Sequence, residues 1–84
     1  MWHAAVTPPS VPDLQESHVG KVFRTSNNDP FDNKFIKVLD VSKGMNGVVY
    51  VQYMYMQDST TEYAHGATKH SDSYATFAFT FDKY

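Results

Sequence analysis

VVYVQYMYMQ, Val48 to Gln57, is the stretch on which the fold turns: apart from its two glutamines every residue is apolar or aromatic, so both alternating faces of an extended segment carry such side chains. A half-buried strand needs only one apolar face. Val49, Val51 and Tyr53 are expected on the core side, which sends Tyr50, Gln52, Met54 and Met56 the other way. That second face is expected to be curled into a barrel interior, covered by the N-terminal arm, or offered to a partner, since Tyr and Met combine large contact area with a polar tip or an adaptable chain.

The neighbouring segments read as further strands. GKVFRT, Gly20 to Thr25, is β-branched and aromatic and ends in the turn-forming cluster SNNDP. NKFIKVLDV, Asn33 to Val41, places Phe35, Leu39 and Val41 with Lys37 on one face, and Ile36 and Val38 with Lys34 and Asp40 on the other. SKGMNG then supplies Gly44, Asn46 and Gly47, residues that accept positive φ, and predicts a tight antiparallel connection into Val48. Asp58 to Ser73 is polar and reads as a long hairpin loop, or as two ragged strand ends around Gly66. YATFAFTFDKY closes the chain, and its alternating Phe77, Phe79 and Phe81 predict a half-buried strand whose three rings anchor the core. Residues 1–18 carry Pro8, Pro9 and Pro12 and read as a flexible, Pro-rich arm; within it PDLQESHVG has room for one helical turn, with Pro12 or Asp13 near its start and Gly20 past its end.

Composition bounds the function. A chain of 84 residues with one Trp, six Tyr and six Phe folds as one small domain, here residues 19–84 after the arm, and its margin of stability is thin. Cysteine is absent, so disulfides and thiolate metal sites are excluded. No apolar run approaches the roughly 18 residues that span a bilayer, and MWHAAVTPPS lacks the features of a secretory leader, so the expected location is the cytoplasm, without membrane contact. A formal net charge of −2 argues against non-specific nucleic-acid binding.

Few constellations carry chemistry. His65 and His70 lie near Glu62 and Asp72 without matching a metal signature, and Met1-Trp2-His3 resembles an amino-terminal copper or nickel set only as any third-position histidine does, so no metal and no cofactor is expected. His70, Ser71, Asp72 and Ser73 are the residue types of a hydrolytic triad, but four consecutive residues cannot converge on one reacting atom, and the expectation is a non-enzyme. Lys21, Arg24, Lys34 and Lys37 offer phosphate contacts beside tyrosines that could stack on bases, a single-strand nucleic-acid reading weakened by the interleaved Asp29, Asp32 and Asp40.

The order GKVFR, turn, FIKVLDV, glycine turn, VVYVQY, polar loop and closing FAFTF resembles the small SH3-like and Tudor-like barrels, and in style the chain is similar to short accessory proteins encoded by bacteriophages. The resemblance is one of pattern over residues 20–81. It implies an all-β fold, a small SH3-like barrel or strongly curved antiparallel sheet of about five strands. It also implies a non-catalytic protein-binding module that inhibits or redirects a host enzyme or defence complex in the host cytoplasm. The expected contact centres on Tyr50, Met54, Tyr55 and Met56, with Phe31 and Tyr63 at its rim. The alternatives are the nucleic-acid binder and a self-assembling structural piece, in which the long central strand or the closing strand pairs with its copy in a homodimer.

Overall fold

The computed structural model describes residues 9–26 and 33–84; the arm up to Pro8, the Met1-Trp2-His3 set and Phe31 lie outside them. The described residues form α1 (Val11–His18), β1 (Val22–Thr25), β2 (Phe35–Lys43), β3 (Val49–Met56), β4 (Lys69–Ser73), α2 (Tyr74–Thr80) and β5 (Phe81–Lys83). All strand pairs are antiparallel, in one sheet of order β4-β3-β2-β1-β5. The sheet is open: β4 and β5 are its two edges and do not close it into a barrel.

Local chemistry explains the first helix. Ser10 caps it by accepting the Asp13 N–H at 3.3 Å, and Gly20 takes the left-handed φ of 79° just past its end. Leu14 is 3% exposed, and the Gln15 side-chain amide donates to the Val41 carbonyl at 2.9 Å, so the helical part of the proline-rich segment packs on β2. The β2–β3 connection is the tight turn that the glycines predict, with Gly47 at φ 79° and its N–H bonded to the Gly44 carbonyl at 2.9 Å.

Two sequence expectations are corrected. In β2 the register with β3 slips between Val38 and Asp40, leaving Leu39 as a bulge. The slip brings Ile36 and Val38 before it, and Val41 after it, onto the same side, and all three are fully buried. Strict alternation had divided them between two faces. The bulged segment is held by the neighbouring backbone: Val38 receives the Gly20 N–H at 2.9 Å and donates to the Lys21 carbonyl at 3.1 Å.

The second correction concerns the closing segment, which is not one strand. Ser73 caps a short helix by accepting the Thr76 N–H at 3.3 Å, and the Thr80 hydroxyl donates to the Thr76 carbonyl at 2.8 Å. Helical spacing turns Tyr74, Phe77 and the first residue of β5, Phe81, toward the sheet, and sends Phe79 to solvent at 86% exposure. Phe77 is 1% exposed, with ring centroids 5.2 Å from Phe23, 5.7 Å from Tyr53 and 5.1 Å from Phe81. The core is therefore a single layer between the sheet and both helices.

The helix distinguishes residues that alternation would treat alike. In urea denaturation Phe77→Ala is expected to lower stability by about 3–4 kcal/mol, and Phe79→Ala to change it by no more than about 0.5 kcal/mol. Equal losses would restore the strand reading.

Candidate functional site

The two faces of β3 are used differently. On the core face Val51 and Tyr53 are buried, and Val49 and Tyr55 pack against the same cluster. On the outer face the register sets Lys69, Met54, Lys37 and Val22 in one row across four strands, and Met56, Phe35, Arg24 and Asp82 in the next. Among the described residues no helix covers these rows. Instead, the loop after β3 reaches over them through an ion pair of Lys37 Nζ with Glu62 Oε2 at 3.4 Å, and the Tyr84 ring stands edge-on to Phe35 at 5.1 Å.

The end of the β2–β3 pair borders a cleft of about 390 Å³ that takes residues from both faces, lined by Asn33, Lys34, Phe35, Tyr55, Met56, Gln57 and Tyr63. Two tyrosine rings, a phenylalanine and a methionine give it apolar area, two amides supply donors and acceptors, and the Lys34 ammonium lies 5.6 Å from the Tyr55 ring centroid. The loop that brings Tyr63 is tied at its start by Asp58, whose carboxylate accepts the Thr60 N–H at 2.9 Å and the Thr60 hydroxyl at 3.1 Å. The Thr60 backbone hydrogen bond first, and side-chain hydrogen bonds after it, hold the Asp58 carboxyl below the usual range.

The expected contact residues divide into two groups. Tyr55, Met56 and Tyr63 meet at the cleft; Met56 is 7% exposed and forms part of its lining, and Tyr63 is 48% exposed. Tyr50 and Met54 lie elsewhere on the outer face, and Tyr50 packs against the hairpin, with its hydroxyl accepting from the Asn46 amide at 3.2 Å. Phe31 lies outside the described residues. Sequence reading missed Phe35 as a lining residue, although the pairing of its strand with VVYVQYMYM placed it opposite Met56. Of the four cations of the nucleic-acid reading, Lys37 and Arg24 share the outer face in neighbouring rows, each beside an acid that is its ion-pair or register partner. Lys34 borders Tyr55, Lys37 holds Glu62, Arg24 stands opposite Asp82 in register, and Lys21 precedes β1.

A polar cluster lies beside the cleft, where β3 pairs with β4. The Tyr53 hydroxyl donates to Asp72 Oδ2 at 2.7 Å, and His70 stacks on the Tyr53 ring at 5.6 Å and meets the Tyr55 ring edge-on at 5.1 Å. Burial first, then the hydrogen bond to the Asp72 carboxylate, pushes the Tyr53 phenol far above its usual value. Ser71 and Ser73 fall on the opposite face of β4 from His70 and Asp72, as alternation requires, so the four residues of triad type do not converge. Among the described residues no cluster of three or more His, Asp or Glu is placed to hold a metal ion, and no helix is long and apolar enough to cross a membrane. No protein-family model, no curated protein and no solved structure matches the chain.

Tyr53→Phe keeps the ring and removes only the bond to Asp72. It is expected to lower stability by about 1.5 kcal/mol in chemical denaturation. In an alkaline absorbance titration the tyrosine that ionises last in the wild type should be missing from this variant.

Proposed function

We propose that the chain is a non-catalytic binding module that captures a partner protein at the cleft and the outer sheet face beside it, and so inhibits or redirects that partner. The observation that carries this reading is the composition of the cleft. Its lining joins Phe35, Tyr55, Met56 and Tyr63 with two amides and one ammonium. Aromatic and methionine side chains of this kind are enriched at protein contacts, and a handful of such anchors commonly supplies most of the binding energy. Among the described residues the lining is supplied by aromatic, methionine, amide and ammonium side chains, a set that suits recognition.

The rival readings receive less support. The cations of a nucleic-acid surface are partly matched by acids: Lys37 pairs with Glu62, and Arg24 stands opposite Asp82 in register. Self-assembly through β3 would need a free edge, yet β3 lies between β2 and β4. The remaining edges are short and polar: β4 reads KHSDS and β5 reads FDK, and charged side chains on edges oppose pairing between copies.

The test is affinity capture from a bacterial lysate with nuclease treatment and a salt wash, comparing wild type with a Tyr63→Ala, Met54→Ala double variant. One stoichiometric protein retained by the wild type, and bound about tenfold or more weakly by the variant with an unchanged circular-dichroism spectrum, supports the proposal. Recovery of nucleic acid alone, or of the chain's own copies alone, rejects it.

A further inference from the structure

His18, the last residue of α1, has no part in the cleft. Its ring stacks on Phe23 of β1 at 5.0 Å with 19° between planes, and meets Tyr74 and Phe77 of α2 at 6.0 and 6.1 Å. Rings from two separate elements thus converge on one imidazole. The groups that face it are these three rings, the Lys83 ammonium from β5, and, from its own helix, the Leu14 carbonyl and the Ser17 hydroxyl, whose Oγ lies 2.7 Å from Nδ1. Of these partners Tyr74 and Lys83 are titratable, and no carboxylate is among them.

We propose that His18 is a protonation latch: as a neutral ring it closes the junction of α1 with β1 and α2, and as an imidazolium it loosens α1 from the sheet. The chemistry is one of hydration and like charge. A neutral imidazole loses little by being packed among aromatic rings, whereas an imidazolium gives up hydration there and stands near the Lys83 ammonium. Stacking on Phe23 attracts a cation, and so does the Leu14 carbonyl, but burial and then Lys83 prevail: the imidazole is held below its usual value of 6.5. With the folded value depressed, the unfolded or detached helix binds the proton more readily. The latch is therefore fully closed above about pH 6.5 and opens as pH falls through the lower, folded value.

α1 is the element placed to respond. It is joined to the rest by Leu14 and Val11, by the Gln15 bond to Val41 and by the His18 ring, whereas β2 and β3 are held by eight register pairs. Opening is expected to be local, of the kind that hydrogen exchange resolves.

The experiment is amide hydrogen exchange on the full chain between about pH 7.5 and 5, corrected for intrinsic rates, together with an NMR titration of the His18 ring. Protection at 14–19 should fall with pH while protection in β2 and β3 persists, the ring should titrate below the usual histidine value, and Lys83→Gln should move its midpoint upward. His18→Phe should keep the helix protected throughout, and the Lys83 variant carries the test if His18→Phe does not fold. Protection of α1 that does not change with pH, an equal loss in the strands, or a ring midpoint unmoved by Lys83→Gln would each overturn the latch.

Discussion

Phe77 is the contact on which the layered structure depends. Its ring touches Phe23 of β1, Tyr53 of β3, Phe81 of β5 and His18 of α1, so one buried side chain joins both helices to strands that are not neighbours in the chain. A domain of 84 residues has little apolar area to distribute, and concentrating it on one side of the sheet around a single aromatic cluster is how this chain obtains a core. The helices follow from that choice. A sheet with Ile36, Val38, Val41 and Val51 on one side needs a cover, and Leu14 and Phe77 provide it.

The Leu39 bulge makes the one-sided core possible. Without it Val41 would fall on the face opposite Ile36 and Val38, and the apolar residues of β2 would be divided between two half-covered surfaces. With it the core face is saturated, and the outer face is left with a mixture of Val22, Met54, Lys37 and Lys69 in one row and Phe35, Met56 and Arg24 in the next. Double-sided apolar character in β3 therefore has two physical origins. Val51 and Tyr53 belong to the core, while Met54 and Met56 belong to a surface shared with Phe35 and crossed by the following loop.

Much of this was legible in the residues. Glycines at 44 and 47 marked the hairpin, Pro12 or Asp13 and Gly20 marked a helical turn that the structure extends to the eight residues Val11–His18, and the apolar run from Val48 identified the central strand. The bulge was not legible, because period-two reading has no means to see an extra residue that pairing between strands absorbs. The closing segment failed for a different reason. Phe77 and Phe81 are four apart, a spacing that fits a helix as well as a strand, and the deciding signals were Ser73 as a cap and the alanines at 75 and 78, which favour a helix over the β-formers around them. Of the expected contact residues, Tyr55, Met56 and Tyr63 were chosen by residue type alone; that they share one cleft depends on the loop returning to the sheet through Glu62 and Lys37, a long-range contact.

That contact also shapes what the cleft is able to accept. Lys37 and Glu62 are 33% and 49% exposed, and an ion pair so solvated contributes at most about 1 kcal/mol. Tyr63, carried by the same loop, is thus positioned by a weak tether, whereas Phe35, Tyr55 and Met56 are held by eight register pairs between β2 and β3. The cleft has one wall fixed by the sheet ladder and one carried by the loop, which is also tied by the Gln57 N–H donating to the Thr61 carbonyl at 2.9 Å. Such an arrangement favours an occupant whose main anchor packs on Phe35 and Met56 and whose flank is then closed over by Tyr63. Under the proposed capture, burial of that kind would add apolar contact to the outer face, and a partner that binds only the folded chain would raise its stability by mass action.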